Sequence, residues 1–293
     1  MIYADKKTGV IVCGATGNQG SFHIDRMNQY ARSIGGRGVV AGVTPGKGGQ
    51  EVHGVPVYNS ILEAAEAQNA TAAVLFVPGS SAGDSIMEAA DAGLDLVVTI
   101  TEHIPVHDVM QAVTYAQMRD CTVIGPNCPG LFSPGEISMG IMPAHLATRG
   151  PVGVISRSGT LTYEVVHELT RAGIGQSSII GIGGDPIIGQ TFADALERFA
   201  EDPLTKAVVI LGELGGNLEE EGARSAELPV VAFIAGTTAP AEKRMGHAGA
   251  IVTGGEGDAN AKIARLRDLG VPVADRLSEI PAMIRGGNLN VNH

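Results

Sequence analysis

A chain of 293 residues is long enough to form two domains, each with its own hydrophobic core. Its formal net charge of −11 argues against nucleic acid or an anionic membrane as the main partner, because both bind basic surfaces. Three cysteines, an odd number without the spacing of a metal site, indicate free thiols in a reducing compartment. The chain has no membrane-length apolar run, and its N-terminus lacks the apolar core of a signal peptide. We therefore expect a cytoplasmic protein without a metal site of its own.

Short apolar segments alternate with helical patterns in the first part of the chain. Strands are predicted at 10–13, 39–43, 55–58, 72–77, 96–100 and 122–124, and helices up to about residue 30 and at 61–67, 81–92 and 106–118. These strands are continuously apolar rather than alternating, which is typical of a parallel sheet covered by helices on both faces. The pattern predicts a Rossmann-like domain over residues 1–125.

Residues 126–150 contain four prolines and several glycines, and this composition predicts a linker without regular structure. A second series of strands and helices follows it. Its strands are predicted at 152–155, 178–182, 207–211, 230–234 and 271–274, and its helices at 161–172, 190–200, 218–226, 259–269 and 278–284. This series predicts a flavodoxin-like domain within residues 126–293. The polar tail from residue 286 onward is expected to fray.

The first glycine-rich loop, residues 14–20, has a glycine at every third position and joins the first predicted strand to the first predicted helix. Backbone amides and the helix dipole at such a helix start favour a phosphate group. The second strand is followed by Lys47, where an NAD site would have an acidic residue for the ribose. A cation there fits the additional phosphate of NADP or coenzyme A. A lysine in a solvated turn is the alternative.

The loop at residues 240–256 contains His247 between two glycines, shortly after Lys243 and Arg244. Glycines allow the backbone to approach another group closely, and the basic pair indicates an anion nearby. One interpretation is that His247 is a nucleophile that carries a phosphoryl group. The other interpretation is a turn histidine in a glycine-rich surface loop. The residues of this loop, taken by themselves, favour this second interpretation.

Two further loops provide partners for a phosphorylated histidine. Ser158, Gly159 and Thr160 begin a predicted helix, so their amides form a candidate phosphate site, although ordinary N-capping uses the same residues. Glu213 ends another strand, where its carboxylate can fix the tautomer of His247, and a solvated turn glutamate is the alternative. The carboxyl ends of parallel strands share one edge, so these loops can converge on one crevice.

Eight motifs carry a resemblance to a known family. They are TGNQG (16–20), GVTPGKGGQEVHGVPVYN (42–59), TEHIP (101–105), GPNCPG (125–130), SRSGTLTYE (156–164), GIGGDP (181–186), GELGG (212–216) and EKRMGHAGAI (242–251). Together they are highly specific, and over residues 2–284 the chain resembles the α subunits of the succinate–CoA ligase (succinyl-CoA synthetase) family. Residues 32–39 are a longer segment than in the family pattern, and the segment from Glu213 to Pro229 is shorter, so we expect altered packing there rather than lost chemistry.

The resemblance implies a Rossmann-like CoA-binding domain followed by a flavodoxin-like CoA-ligase domain. The residues that it implies for CoA binding are Thr16, Gly17, Asn18, Gln19, Lys47, Ile100, Thr101 and Glu102. It makes His247 the phosphorylated residue, Glu213 its supporting carboxylate and Tyr163 a contact to the acid substrate.

The implied reaction forms succinyl-CoA from succinate, CoA and ATP or GTP through the phosphohistidine, reversibly and with substrate-level phosphorylation in the citric acid cycle. The resemblance also implies a β subunit of ATP-grasp fold that supplies the nucleotide and Mg²⁺ sites. One alternative is the α subunit of a malate–CoA or citrate–CoA ligase, and another is a CoA-binding protein without catalysis. An NADP-dependent oxidoreductase is weaker, because no residue set offers a hydride-transfer site.

Overall fold

The structure is a computed structural model that describes residues 2–239, 246–251 and 257–286. It divides into two compact units. Residues 3–144 with 187–189 form the N-terminal unit, and residue 2 with 145–186 and the chain from 190 onward forms the C-terminal unit. Among the described residues, no helix combines the length and the apolar character that crossing a membrane requires.

The N-terminal unit is built around a seven-stranded sheet. Its elements are β1 (Val10–Cys13), α1 (Asn18–Ile34), β2 (Val39–Val43), β3 (Glu51–Val52), β4 (Val55–Tyr58), α2 (Ile61–Gln68), β5 (Ala72–Leu75), α3 (Gly79–Asp91), β6 (Leu96–Thr99), α4 (Val106–Gln117) and β7 (Thr122–Ile124). The strand order is β3-β4-β2-β1-β5-β6-β7, and all neighbours are parallel except the β3–β4 pair. Without β3, this is the 3-2-1-4-5-6 order of a Rossmann fold.

The central strands of this sheet are buried along their whole length. Every residue of β1, β5 and β6 is buried, which explains why their sequences are continuous apolar runs. Helix α1 covers the sheet with Ile24, Met27 and Ala31 at helical spacing. Because these residues are small or aliphatic, the core forms from Val, Ile, Leu and Ala with few aromatic rings.

The predicted linker at 126–150 is wrong, because this segment contains a β-hairpin. Its antiparallel strands are β8 (Gly130–Ser133) and β9 (Ile137–Gly140). The prolines lie outside both strands, at positions 126, 129, 134 and 143, so they bound and turn the strands instead of breaking them. The hairpin packs on α1, where the ring centroids of Tyr30 and Phe132 are 4.9 Å apart. The compact units accordingly divide between residues 144 and 145, later than the boundary predicted after residue 125.

The C-terminal unit contains a second parallel sheet. After a single 3-10 turn (Ala144–Leu146), its elements are β10 (Arg149–Ser156), α5 (Gly159–Arg171), β11 (Gln176–Gly181), α6 (Phe192–Glu201), β12 (Ala207–Glu213), α7 (Leu218–Ser225), β13 (Val230–Ala235), α8 (Ala259–Asp268) and α9 (Ile280–Gly286), with a 3-10 turn at Leu277–Glu279 before α9. The parallel order β11-β10-β12-β13 is the 2-1-3-4 order of a flavodoxin-like fold. The predicted last strand is reduced to one parallel bridge, between Ala232 and Val273. The tail predicted to fray lies outside the described residues, except for residue 286 at the end of α9.

Candidate active site

Glu213 and His247 come together at the carboxyl edge of the C-terminal sheet. Glu213 is the last residue of β12, and its side chain is 10% exposed. Nδ1 of His247 lies 3.0 Å from Oε1 and 2.8 Å from Oε2 of this carboxylate. The side chain of His247 is 26% exposed, so the imidazole is only partly covered. The structure thus places the two predicted catalytic residues in hydrogen-bond contact. The basic pair Lys243 and Arg244 lies outside the described residues.

Glycines keep the space around the imidazole open. A Cβ on residue 184 would lie 2.2 Å from Cγ of His247, far inside van der Waals contact. The N–H of Gly249 donates a hydrogen bond to the carbonyl of Gly184 at 3.0 Å and joins the histidine segment to the loop after β11. Gly215 has a φ of +97°, and a Cβ there would lie 2.1 Å from the carbonyl oxygen of Gly249. The position of the ring therefore depends on glycines in two neighbouring loops.

The surroundings of His247 favour its protonated form. Its pKa is raised above the ordinary value, first by the hydrogen bond to Glu213 and then by the charges of Glu213 and Asp185. Partial burial and the positive charge of Arg157 oppose this rise. In the neutral tautomer whose Nδ1–H is donated to Glu213, the lone pair is on Nε2. The carboxylate thus decides which ring nitrogen can act as a nucleophile.

Helices α5 and α7 begin beside these strand ends, and their first turns differ in charge. The first turn of α5 contains no acidic residue, and Ser158 caps it by accepting a hydrogen bond from the N–H of Leu161 at 3.4 Å. The first turn of α7 contains three glutamates, at positions 219, 220 and 221, which repel an anion. The start of α5, with Gly159 and Thr160, is therefore the better phosphate site, although the N-capping interpretation of Ser158 also describes the structure.

Tyr163 lies one turn into α5, and its side chain is partly exposed. It follows residues 158–160 along the same helix. The substrate contact that the family resemblance implies for Tyr163 stays a prediction.

Three charged residues of this site did not emerge from the sequence. Arg157 follows β10, Glu219 lies in the first turn of α7, and Lys262 lies in α8. All three are buried and form ion pairs with each other or with Glu213. The place of Arg157 at the carboxyl end of a strand is a sequence signal that could have identified it. Lys262 gives no such signal, because a lysine in a helix is usually solvated.

The glycine loop of the N-terminal unit is shaped by close backbone approaches. Gly14 has a φ of +80°, and a Cβ on it would lie 2.6 Å from the carbonyl oxygen of Phe76. A Cβ on Gly20 would lie 2.2 Å from the carbonyl oxygen of Gly14, so α1 packs tightly on the loop. Gly17 is the N-cap of α1, and no described side chain forms a capping hydrogen bond with this helix start. The first amides of α1 are therefore suited to bind an anion.

The residues predicted to bind CoA lie in loops after three strands of the N-terminal sheet. Thr16, Gly17, Asn18 and Gln19 follow β1, Lys47 follows β2, and Ile100, Thr101 and Glu102 follow β6. Because β1 stands between β2 and β5, the first of these loops lies where the strand order reverses, which is the usual ligand position in open α/β sheets. The side chains of Lys47 and Glu102 are exposed.

Cys128 is a buried thiol whose Sγ lies 3.3 Å from the carbonyl oxygen of Thr99.

Comparison with known proteins agrees with this architecture. Residues 5–103 match the family described as CoA binding domain, and residues 155–271 match the family described as CoA-ligase. The two matches fall on the Rossmann-like and flavodoxin-like sheets respectively. Together with the fold, they define the class of this protein as a CoA ligase, an enzyme that joins an acid to a thiol.

Relatives of high identity make the family definite. The chain is 53% identical over 283 residues to the "Succinate--CoA ligase [ADP-forming] subunit alpha" of Staphylococcus epidermidis strain ATCC 12228, covering 95% of this chain and 92% of the relative. The protein of the same name from Staphylococcus aureus strain N315 matches with the same identity and coverage. The chain belongs to the family of succinate–CoA ligase α subunits, so the predicted family, fold class and enzyme class are confirmed.

Solved structures extend the likeness to larger proteins. ATP citrate lyase from Methanothrix soehngenii, in complex with citrate and coenzyme A, matches with a TM-score of 0.88 and 26% identity. The match covers all of this chain and 52% of that protein, so this chain spans about half its length. PH0766 from Pyrococcus horikoshii OT3 matches with a TM-score of 0.73 at 22% identity over 96% of this chain and 60% of that one. That second likeness concerns the fold alone.

Proposed function

We propose that this chain is the α subunit of a succinate–CoA ligase in the cytoplasm. It works with a β subunit of ATP-grasp fold, which binds ATP or GTP and Mg²⁺, and it forms succinyl-CoA through a phosphohistidine at His247. The observation that carries the proposal is the contact of Nδ1 of His247 with both oxygens of the buried Glu213 carboxylate. In a CoA-ligase family member, a histidine held in this way is a candidate carrier of the phosphoryl group.

The first step transfers a phosphoryl group to the chain. Nε2 of His247 attacks the γ-phosphorus of the nucleoside triphosphate, and the bond to the diphosphate leaving group breaks. Glu213 accepts the Nδ1–H hydrogen bond and stabilises the positive charge that develops on the ring. The amides of Gly159 and Thr160 at the start of α5 hold the oxygens of the phosphoryl group. The amide of Ser158, predicted to join them, donates instead to Oγ of Ser156 at 3.0 Å.

The next steps use the phosphoryl group to activate succinate. A succinate oxygen attacks the phosphorus, the N–P bond breaks, and an acyl phosphate forms, with Tyr163 contacting the acid. The CoA thiolate then attacks the acyl carbon and expels inorganic phosphate, which leaves the thioester. Dividing the condensation in this way replaces one poor leaving group by two good ones. Each step is reversible, which suits substrate-level phosphorylation in the citric acid cycle.

CoA binds to the N-terminal unit in this proposal. The amides at the start of α1, after Thr16 and Gly17, hold its phosphates together with Asn18 and Gln19. Lys47 pairs with the 3′-phosphate. Ile100, Thr101 and Glu102 line the same sheet edge after β6. The functional division that we propose is CoA binding over 1–125 and ligation over 126–293.

A labelling experiment tests the phosphohistidine. The α chain is mixed with its β subunit and γ-³²P-labelled ATP or GTP, and the α chain is examined for label that is stable in base and labile in acid. We expect label on the wild-type chain and none on His247→Asn. His167→Asn is the matched control, because His167 is an exposed histidine of α5 in the same unit. Equal labelling of His247→Asn and the wild type would show that another residue is the nucleophile.

The second candidate is a citrate–CoA or malate–CoA ligase. It is favoured by the TM-score of 0.88 to the ATP citrate lyase, whose structure contains citrate and coenzyme A. Rates of thioester formation with succinate, malate and citrate at equal concentrations separate the candidates. We expect the highest kcat/KM with succinate, and a higher value with citrate or malate contradicts the proposed substrate.

A further inference from the structure

Arg157 is a buried cation that forms ion pairs with two carboxylates, those of Glu213 and Glu219. It is 3% exposed and follows directly after β10. Its Nη2 lies 3.4 Å from Oε1 of Glu213, and its Nη1 lies 3.4 Å from Oε1 of Glu219. Nη1 also donates a hydrogen bond to the carbonyl of Gly215 at 3.1 Å. The guanidinium therefore connects the carboxylate that contacts the histidine to the start of α7.

Lys262 completes the cluster from the opposite side. Its side chain is fully buried, and its ammonium group pairs with Oε2 of Glu219. It also donates hydrogen bonds to the carbonyls of Glu213 at 2.9 Å and of Gly215 at 2.8 Å. Oε1 of Glu219 accepts the N–H of Glu213 at 3.1 Å. Within the described part of the chain, the cluster thus balances two cations against two carboxylates.

The two cations have different roles in this arrangement. Lys262 and Glu219 bind the backbone of residues 213 and 215, so they fix the end of β12. Of the two cations, Arg157 is the one that contacts the carboxylate of Glu213, through the same oxygen that lies 3.0 Å from Nδ1 of His247. If Arg157 served only to pair with Glu219 and to bind the carbonyl of Gly215, its contact with the carboxylate of Glu213 would not be needed.

We propose that Arg157 is a positioning residue for His247 that acts through Glu213. It holds the Glu213 carboxylate with both oxygens facing Nδ1, and its charge offsets part of the negative charge that the imidazole meets. The inference rests on the proposed role of His247 as the phosphoryl acceptor. A nucleophilic imidazole must be neutral, so a carboxylate without a counter-charge would hold the ring protonated and unreactive.

The charges around His247 determine in which direction the loss of Arg157 changes the pKa of the imidazole. In the described residues, the charged groups that face the imidazole are Glu213 at the end of β12, Asp185 after β11 and Arg157 after β10. The two carboxylates raise the pKa of His247, and Arg157 lowers it. Removing the guanidinium charge therefore raises the pKa further. The protonated fraction of the ring at neutral pH then increases, and phosphorylation slows there but recovers at higher pH.

The test uses Arg157→Gln in the complex of the chain with its β subunit. We expect the titration of the His247 imidazole, followed by NMR of ¹⁵N-histidine-labelled chain, to move upward by about one pH unit. The rate of phosphorylation should fall at neutral pH by up to about tenfold, the limit that a shift of one pH unit sets, and approach the wild-type rate at higher pH. Arg157→Lys keeps the charge without the planar fork, so it should restore the pH profile more fully than the absolute rate.

Phe199→Leu is the matched control for lost stability. Phe199 is fully buried in α6 of the same unit and lies against Gly153 of β10, away from the charge cluster. Its substitution should lower the melting temperature without moving the titration of His247. If Arg157→Gln leaves that titration unchanged and lowers the rate equally at every pH, Arg157 is only structural and the inference fails. The titration needs no phosphoryl transfer, so a failure of the labelling experiment remains a separate result.

Discussion

The two units share a parallel-sheet architecture with candidate ligand loops at the carboxyl edge, but they place charge there in opposite ways. In the N-terminal unit, Lys47 and Glu102 are exposed, and the candidate anion site is formed by backbone amides at the start of α1. In the C-terminal unit, Arg157, Glu219 and Lys262 are buried and depend on each other. Exposed charges act almost independently, whereas buried charges are stable only as a set. Substitutions should therefore have small, local effects in the first site and large, coupled effects in the second.

The strongest test of this contrast is Lys262→Met. The substitution leaves the buried carboxylate of Glu219 without its ammonium partner, so we expect the free energy of unfolding to fall by about 3–5 kcal/mol in a urea titration. The double variant Lys262→Met/Glu219→Gln removes both charges and should recover a large part of that loss. Lys206→Met is the control, because Lys206 is exposed in the same unit and its Nζ contacts only a backbone carbonyl among the described partners. If Lys262→Met lowers the free energy of unfolding as little as Lys206→Met does, the buried charges are no more coupled than the exposed ones.

The next largest effect is expected for Gly184→Ala. The new Cβ would overlap the ring of His247, whose Cγ lies 2.2 Å from that position, so the ring must shift from its present place. A displacement of about 1 Å at a reacting group lowers a rate by about 100-fold, and we expect this loss in the phosphorylation of His247. Stability should change less than activity, because the loop can yield.

Gly286→Ala is the matched control for this substitution. Among the described residues, a Cβ on residue 286 meets nothing within 4 Å, so the same chemical change should leave phosphorylation unaltered. If Gly184→Ala is phosphorylated at the wild-type rate, the position of the imidazole is not critical, and the C-terminal site is more tolerant than its buried charges indicate.

The sequence predicts the backbone of both sites better than the side-chain network beneath one of them. Continuous apolar strands and glycine-rich loops define the parallel sheets, and parallel strands bring their carboxyl ends to one edge, so Glu213 could be paired with the loop of His247. The role of Lys262 depends on which way α8 faces, and the burial of Glu219 depends on the packing of α7. Neither is encoded by local spacing. The hairpin at 130–140 was missed because prolines that flank strands have the same composition as prolines in a linker.

The smallest effect is expected in the N-terminal unit, from Lys47→Ala. If this exposed lysine pairs with the 3′-phosphate of CoA, its loss should weaken CoA binding by about tenfold, the equivalent of one charge-assisted contact at the surface. Dephospho-CoA lacks that phosphate, so wild type and variant should bind it equally, as measured by calorimetry with the αβ complex. Lys7→Ala is the control, since Lys7 is also exposed in this unit. If Lys47→Ala weakens both ligands alike, the lysine acts on another part of CoA. A loss far above tenfold, with reduced stability, would show that this site too depends on coupled charges.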